Sequence, residues 1–216
     1  MIKIENIMQA GFKPAIRGMR NSWNSWDKSD SLIGQCEVYS EKWYDEATYE
    51  CGIGLNDLEL MKKLIKAGGE HRKFMRMIVV WVDIEAPLYW WKQFDTYKIG
   101  TTANSCSTMH TIHDKPFEVN DFSFENVHPV DANDIVATLN KIRRTFIETK
   151  DKEYWNAIIQ MLPESYNQRR TVCLNYEVLH NIYHQRRGHK LGEWHEFCEF
   201  IESLPYMEEF LKKEEE

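Results

Sequence analysis

The feature that most constrains the fold is an almost unbroken apolar run at residues 74–84, FMRMIVVWVDI. The run is rich in β-branched side chains, which favour strands, and its length is that of a strand rather than a helix. Because apolar residues occupy consecutive positions instead of alternating, we predict a strand that is buried on much of both faces. Such a strand requires other elements to cover the sheet around it.

Helical patterns dominate the rest of the chain. Helices are predicted at residues 13–22, 56–66, 86–98, 131–150, 152–162, 176–187, 192–204 and 205–213. We expect Asn56 or Asp57 to cap the helix that ends at Lys66, and Asp131 or Asn133 to cap the helix that ends at Lys150. Gly68-Gly69 and Pro163 are stop signals for two of the helices.

Two weaker strand signals accompany the apolar run. The N-terminal MIKIENI alternates and predicts an edge strand, and residues 170–174 predict a short strand. Residues 23–52 and 100–113 read as loops. Many helices around a few strands place the chain in the α+β class, and 216 residues suit a single domain.

The charge and cysteine content exclude several classes of protein. The chain has 27 Lys and Arg against 34 Asp and Glu, a formal net charge of −7, which argues against gripping nucleic acid by bulk charge. The negative net charge remains compatible with one basic pocket that binds a small anion. No apolar run approaches the roughly 18–20 residues of a membrane span. Five cysteines without a CxxC pair indicate free thiols in a reducing compartment, so we expect a cytoplasmic protein.

Three local patterns allow two interpretations each. His180 and His184 stand at i, i+4 with His189 nearby, a spacing that can hold a metal. Because no HExxH glutamate accompanies them, we expect no metal site here. The pairs Arg169-Arg170 and Arg186-Arg187 are either surface ion pairs or parts of a pocket for phosphate or carboxylate. Trp90-Trp91 form either an aromatic wall for a flat ring or part of the core.

Four segments follow one another in an order that is typical of one enzyme family. They are Arg17-Gly-Met-Arg20-Asn-Ser22-Trp23; residues 60–69; Ala86-Pro87 followed by Gln93 and Asn104-x-x-Ser107; and Leu162-Pro163 with Asn175-x-x-x-Leu179-x-Asn181-x-x-x-x-Arg186 and Trp194. In this order they resemble the flavin-dependent thymidylate synthases. The resemblance covers about residues 15 to 200.

This resemblance implies a small, mostly antiparallel sheet packed with several helices, in a chain that assembles into a homotetramer. It implies transfer of a one-carbon unit from methylenetetrahydrofolate to the uracil ring of dUMP, with FAD and NADPH as the further cofactors. Because the flavin carries the chemistry in this family, no nucleophilic cysteine is required.

The resemblance also implies a substrate site. Arg186 matches the arginine that grips the uracil ring, where a fixed cation would stabilise negative charge on the pyrimidine. Gln93 matches a glutamine beside the nucleotide, and Ser107 matches a loop residue that donates to phosphate. The ordinary alternatives are a surface arginine and a turn serine.

Four further residues are implied to contact the cofactor. Asn175 and Asn181 match asparagines of the flavin pocket, where amide groups can hydrogen-bond the ring edge. Asn104 matches the phosphate-donating loop, and Lys98 is the remaining cation of the central motif. For the asparagines the ordinary alternative is a helix cap.

Several family positions carry other residues here. The central Arg-His-Arg falls on Thr96-Tyr97-Lys98, a Glu-His pair falls on Arg76-Met77, and an arginine of the flavin helix becomes Glu177. Buried anion sites depend on such cations. Two functions therefore stay open: a divergent enzyme that transfers a one-carbon unit to a uracil nucleotide, or a catalytically inactive nucleotide-binding or protein-interaction protein that keeps the fold.

Overall fold

The structure is a computed structural model that describes residues 2–33, 38–40 and 51–212. The chain divides into two compact units. Unit 1 comprises Met1–Lys3, Ile84–Thr96 and Asn104–Arg170, and unit 2 comprises Ile4–Asp83, Tyr97–Ala103 and Thr171–Glu216. The expectation of a single domain stays a prediction.

The strands form one larger and one smaller sheet. In chain order they are β1 (Lys3–Ala10), β2 (Leu32–Ile33), β3 (Val38–Ser40), β4 (Cys51–Gly52), β5 (Val79–Pro87), β6 (Thr101–Ser105) and β7 (Asn167–Asn175). The five-stranded sheet has the order β3-β1-β5-β7-β6, and β2 pairs with β4. Met8 of β1 lies opposite Tyr39 of β3 in an antiparallel pair. The predicted small antiparallel sheet is confirmed.

The N-terminal strand is present, but its predicted edge position is wrong. β1 lies between β3 and β5, because residues 38–40, inside a segment read as a loop, form the outer strand. Residues 34–37 and 41–50 of that predicted loop lie outside the described residues.

The apolar run splits into two elements. Lys73–Met77 form a 3-10 helix, and the strand itself begins at Val79 and continues to Pro87. Along β5 every second residue is buried, from Val80 to Ala86, whereas Trp81 between them is 37% exposed. The prediction of burial on both faces is therefore wrong, because apolar side chains on the more open face made the run look continuous.

The predicted helices are present with shifted ends. Together with one further helix, α4 (Thr108–Thr111), they are α1 (Phe12–Met19), α2 (Leu55–Lys66), α3 (Leu88–Phe94), α5 (Pro129–Thr149), α6 (Lys152–Met161), α7 (Tyr176–Arg186), α8 (Gly192–Ser203) and α9 (Met207–Leu211). The predicted loop at residues 100–113 instead contains β6 and α4. In the described part of the chain, no helix is long and apolar enough to cross a membrane.

Neither of the predicted caps of α2 is correct. Its N-cap is Gly54, and the carboxylate of Asp30 accepts from the backbone N–H groups of Asn56 and Asp57 at 2.9 and 3.1 Å. Asp57 is instead fully buried and accepts from Arg20 Nε at 2.6 Å. Burial raises the pKa of Asp57, but hydrogen bonds from two serines and Arg20 outweigh it and leave the pKa below its ordinary value.

The cap of α5 also differs from the prediction. The helix begins at Pro129, before Asp131 and Asn133, and its N-cap is His128, whose ring Nδ1 accepts from the Val130 N–H at 3.3 Å. Proline at the first helical position favours this earlier start, because its missing N–H needs no partner there.

Each unit has its own apolar core. That of unit 1 includes Phe117, Phe122, Leu139 and Ile158, and both Trp90 and Trp91 are fully buried in the same unit. Their role in the core is thereby shown, and the alternative of an open aromatic wall is wrong. The fully buried residues of unit 2 include Met61, Met75, Val172, Leu179, Ile182, Trp194 and Phe197.

Candidate functional site

Helix α7 carries three of the predicted site residues within unit 2. The helix follows directly from β7, and Asn175 caps it, with Oδ1 accepting from the Val178 N–H at 3.1 Å. Leu179 and Ile182 fix one face of the helix in the core, because they recur at i, i+3 and are fully buried. The cap thus places Asn175 at the first turn, and the helix ends at Arg186.

Arg186 is held at the C-terminal end of α7 by two aromatic residues. Its Nε donates to the Tyr97 hydroxyl at 2.8 Å, and its guanidinium carbon lies 4.6 Å from the centre of the Trp194 ring. Trp194 is fully buried, so the ring is a fixed platform. A guanidinium over a tryptophan face is a favourable cation–π arrangement. The half-buried Arg186 side chain is therefore positioned rather than loosely solvated.

Tyr97 was not among the predicted site residues. Its hydroxyl accepts from Arg186 and donates to Gln185 Oε1 at 3.1 Å, and its ring meets Trp194 edge-on at 6.2 Å. The only sequence signal for it was its place in the substituted Arg-His-Arg motif. A tyrosine can accept from an arginine where a cation could not, which connects this departure from the family pattern to Arg186.

Several basic residues act on His189 beside the C-terminal end of α7. Burial lowers the pKa of His189, and the positive charges of Arg186, His195 and Lys190 lower it further. His189 also lies edge-on to Trp194, with ring centres 6.2 Å apart. Within an acidic chain, this end of α7 favours an anionic or electron-rich ligand.

The middle of α7 is occupied by contacts within the chain. Asn181 Oδ1 accepts from Arg72 Nη2 at 3.0 Å. Glu177, one turn earlier, pairs with Arg72 at 3.3 Å and with Arg76. Two departures from the family pattern, Arg76 and Glu177, are therefore in contact with each other. Burial raises the pKa of Glu177, but the two arginines outweigh it and leave the pKa below its ordinary value.

Asn175 also lies close to the backbone of Gly100. Besides the cap on Oδ1, a β-carbon added at Gly100 would lie 2.7 Å from Asn175 Nδ2, and Gly100 has a φ of +76°. Only glycine allows so close an approach in that conformation. The amide oxygens of Asn175 and Asn181 are bonded within the chain, but each amide nitrogen also carries two donor hydrogens, so their contact with a flavin ring edge stays a prediction.

The remaining predicted contacts lie outside α7. In unit 2, Lys98 is exposed on the segment between Tyr97 and Gly100. In unit 1, Gln93 is half-buried in α3, Asn104 is exposed on β6, and Ser107 is the half-buried N-cap of α4. The Ser107 hydroxyl makes no capping hydrogen bond, which leaves it available in geometry for the donor role predicted for it.

The arginine pairs have different surroundings. Arg170 donates to Asp95 at 2.7 Å and to Gln168 Oε1 at 3.0 Å, and it lies 4.2 Å above the Trp91 ring, so it is a structural ion pair of unit 1. Arg187 is exposed. Of the four arginines, Arg186 has the geometry of a positioned anion-binding group.

The histidines do not form a three-ligand site. His180 and His184 bring their Nε2 atoms within 3.3 Å, but His189 Nδ1 accepts from the Leu191 N–H. Over residues 2–33, 38–40 and 51–212, no group of three or more His, Cys, Asp or Glu is placed to hold a metal. Burial, followed by the charges of His184 and Arg72, lowers the pKa of His180 to about 4.

Comparison with known proteins connects this geometry to one fold. No protein-family model matches the chain, and no curated protein matches it. Among solved structures, thymidylate synthase ThyX from Helicobacter pylori with FAD and dUMP is similar, with a TM-score of 0.71 and 16% identity over 98% of this chain and 97% of that chain.

A second structure of Helicobacter pylori ThyX, complexed with FAD and dUMP, has a TM-score of 0.68 at 16% identity, over 97% of each chain. The chain has the ThyX fold. This agrees with the architecture implied by the sequence resemblance, and at this identity the likeness concerns the fold alone.

Proposed function

We propose that this chain is a divergent, flavin-dependent thymidylate synthase-like enzyme that binds a uracil nucleotide of the dUMP type and transfers a one-carbon unit to it. The observation that carries the proposal is Arg186, which Tyr97 and Trp194 hold in place. Two solved structures of the same fold contain dUMP.

Arg186 has the properties that recognition of a uracil ring requires. A guanidinium stays charged at all relevant pH values and donates in a plane, which suits carbonyl oxygens on a flat ring. A ring carbon becomes nucleophilic toward an electrophilic one-carbon unit when negative charge builds on the pyrimidine and its carbonyl oxygens. A cation that is already oriented by Trp194 stabilises that charge without reorganising.

The other substrate and cofactor contacts remain part of the proposal. We assign Gln93 and Ser107 to the nucleotide, because an amide and an unengaged hydroxyl suit a base edge and a phosphate. Lys98 and Asn104, both exposed, are assigned to the cofactor. We also extend the proposal to a cytoplasmic homotetramer. Light scattering of the purified protein tests the tetrameric state.

The contacts of α7 bear on whether this chain binds the flavin. FAD would supply the hydride when bound, with methylenetetrahydrofolate as the one-carbon donor and NADPH as the reductant. Glu177 stands where the resemblance places an arginine of the flavin helix, and it pairs with Arg72 and Arg76 within the chain. This observation favours a second candidate function: a nucleotide-binding protein that keeps the fold and the uracil site without the chemistry.

One set of measurements separates the two functions. The absorption spectrum of the purified protein is recorded before and after FAD is added, and dTMP formation is assayed with dUMP, methylenetetrahydrofolate, FAD and NADPH. Flavin uptake with turnover supports the enzyme. dUMP binding in calorimetry without flavin uptake or turnover supports the binding protein, and the absence of dUMP binding contradicts both.

A further inference from the structure

We propose that Tyr97 is a positioning residue for Arg186, and that its hydroxyl fixes the guanidinium in the orientation that receives the nucleotide. This inference rests on the proposed function, because it names the residue that prepares the same site. It concerns a position where this chain departs from the family pattern.

The hydrogen-bond geometry defines the orientation. Arg186 Nε points at the Tyr97 oxygen, 2.8 Å away, and the same oxygen donates to Gln185 Oε1 at 3.1 Å. Because the hydroxyl hydrogen is committed to Gln185, the oxygen lone pair is directed at Arg186. Gln185 and Arg186, which are adjacent in α7, thus bond to the hydrogen and to the oxygen of the Tyr97 hydroxyl.

The aromatic rings restrict the remaining freedom of the guanidinium. Trp194 lies 4.6 Å from the Arg186 guanidinium carbon and Tyr97 lies 5.6 Å from it, and the two rings meet edge-on. Contact with the Trp194 face restricts the position of the guanidinium. The bond from Nε to Tyr97 adds a directional restraint, because it fixes one donor of the planar group.

The segment that carries Tyr97 is itself anchored to α7. Three residues after Tyr97, Gly100 approaches the first turn of the helix so closely that an added β-carbon would lie 2.7 Å from Asn175 Nδ2 and 3.2 Å from Val178. Tyr97 contacts the last turn of the same helix. The segment from Tyr97 to Gly100 thus contacts α7 near both ends of the helix. These contacts keep the Tyr97 hydroxyl beside Arg186.

The test compares two tyrosine-to-phenylalanine variants. Tyr97→Phe removes the contact with Arg186, and Tyr183→Phe is the matched control, since the Tyr183 hydroxyl on the same helix donates to Glu202 instead. The first readout is the ¹⁵N NMR signal of the Arg186 Nε–H group and its exchange with water, assigned by its loss in Arg186→Lys. The second readout is the dUMP affinity from calorimetry.

We expect Tyr97→Phe to shift the Arg186 Nε–H signal, to speed its exchange, and to weaken dUMP binding about tenfold, as losing a hydrogen bond to a charged group does. Tyr183→Phe should change neither. The inference is overturned if Tyr97→Phe leaves the Nε–H signal unchanged, or leaves the dUMP affinity within twofold of wild type. If the wild type itself binds no dUMP, the proposed function fails, whereas the NMR readout still decides whether Tyr97 holds Arg186.

Discussion

The two ends of α7 use similar polar side chains for different purposes. In the first half, Asn175, Glu177 and Asn181 bond to the chain itself, as a helix cap and as partners of Arg72 and Arg76. At the last turn, the Tyr97 hydroxyl and the Trp194 indole ring hold Arg186.

This difference separates a structural role from a recognition role. Polar side chains that bond within the chain contribute to stability, whereas a guanidinium held against an aromatic face is oriented toward a ligand. The proposed function therefore assigns stability to the first half of α7 and nucleotide binding to its last turn. The predictions below test that division.

The largest expected effect comes from Trp194, which supports the last turn. Trp194→Ala should lower the free energy of unfolding by about 3–5 kcal/mol, because it leaves a cavity in the core of unit 2. Trp194→Phe keeps an apolar ring and should still weaken dUMP binding, since phenylalanine is a poorer cation–π partner. Phe197→Leu on the same helix is the control that costs stability without weakening dUMP binding. Equal dUMP affinity in Trp194→Phe and wild type would contradict the role of the stack.

His180 makes the stability of unit 2 depend on pH. Its folded pKa of about 4 lies below the ordinary 6.5, so the unfolded chain takes up the proton first as the pH falls. Stability should therefore decrease by about 2 kcal/mol from pH 7 to pH 5 on account of this residue. Chemical denaturation of wild type and His180→Gln at both pH values measures it. The free energy of unfolding of His180→Gln should fall less between pH 7 and pH 5 than that of wild type. An identical pH dependence in both proteins would contradict the role of His180.

Glu177 should affect stability at lower pH than His180 does. Its folded pKa is lowered, so its contribution is present above the ordinary value of 4.5 and is lost as the pH falls through the folded pKa. Glu177→Gln should destabilise the protein by about 1–2 kcal/mol at pH 7, because Arg72 is left without its partner carboxylate. The difference between variant and wild type should shrink toward pH 3. Glu59→Gln, at an exposed pair with Lys63, is the matched control and should change little.

The smallest expected effect is at the cap of α7. Asn175→Ala should cost about 1 kcal/mol, because the Val178 N–H loses its acceptor. Asn175→Asp keeps an acceptor oxygen and should restore most of that loss. Thermal unfolding of the two variants decides the matter. If Asn175→Ala is as stable as wild type but loses affinity for FAD, Asn175 is a cofactor contact and not a structural cap.

The sequence predicted most elements because their signals are local. The α7 and α8 helices follow from spacing and stop signals, and they appear within a residue or two of the predicted ends. The caps were wrong where the capping group comes from a distant part of the chain or from an unusual residue: Asp30 bonds the start of α2, and His128 caps α5.

The candidate site shows the same limit. Arg186 could be found from its place in a motif. Its contact with Tyr97 and the hydrogen bond between Arg72 and Asn181 could not, because they join residues 89 and 109 positions apart in the chain. A motif records which side chains are present. Whether an amide is available to a ligand depends on which other side chains the fold brings to it.

Calorimetric titration of dUMP at pH 7 tests most directly whether the last turn of α7 binds the nucleotide. The proteins compared are wild type, Arg186→Ala and Glu177→Gln, and Arg187→Ala is the control because it removes the same charge as Arg186→Ala. We predict that Arg186→Ala loses dUMP binding by about a hundredfold or more, as removal of a charged, oriented donor does. Glu177→Gln and Arg187→Ala should stay within about threefold of wild type. Wild-type affinity in Arg186→Ala, or a loss in Glu177→Gln as large as in Arg186→Ala, would contradict the assignment of recognition to the last turn of α7.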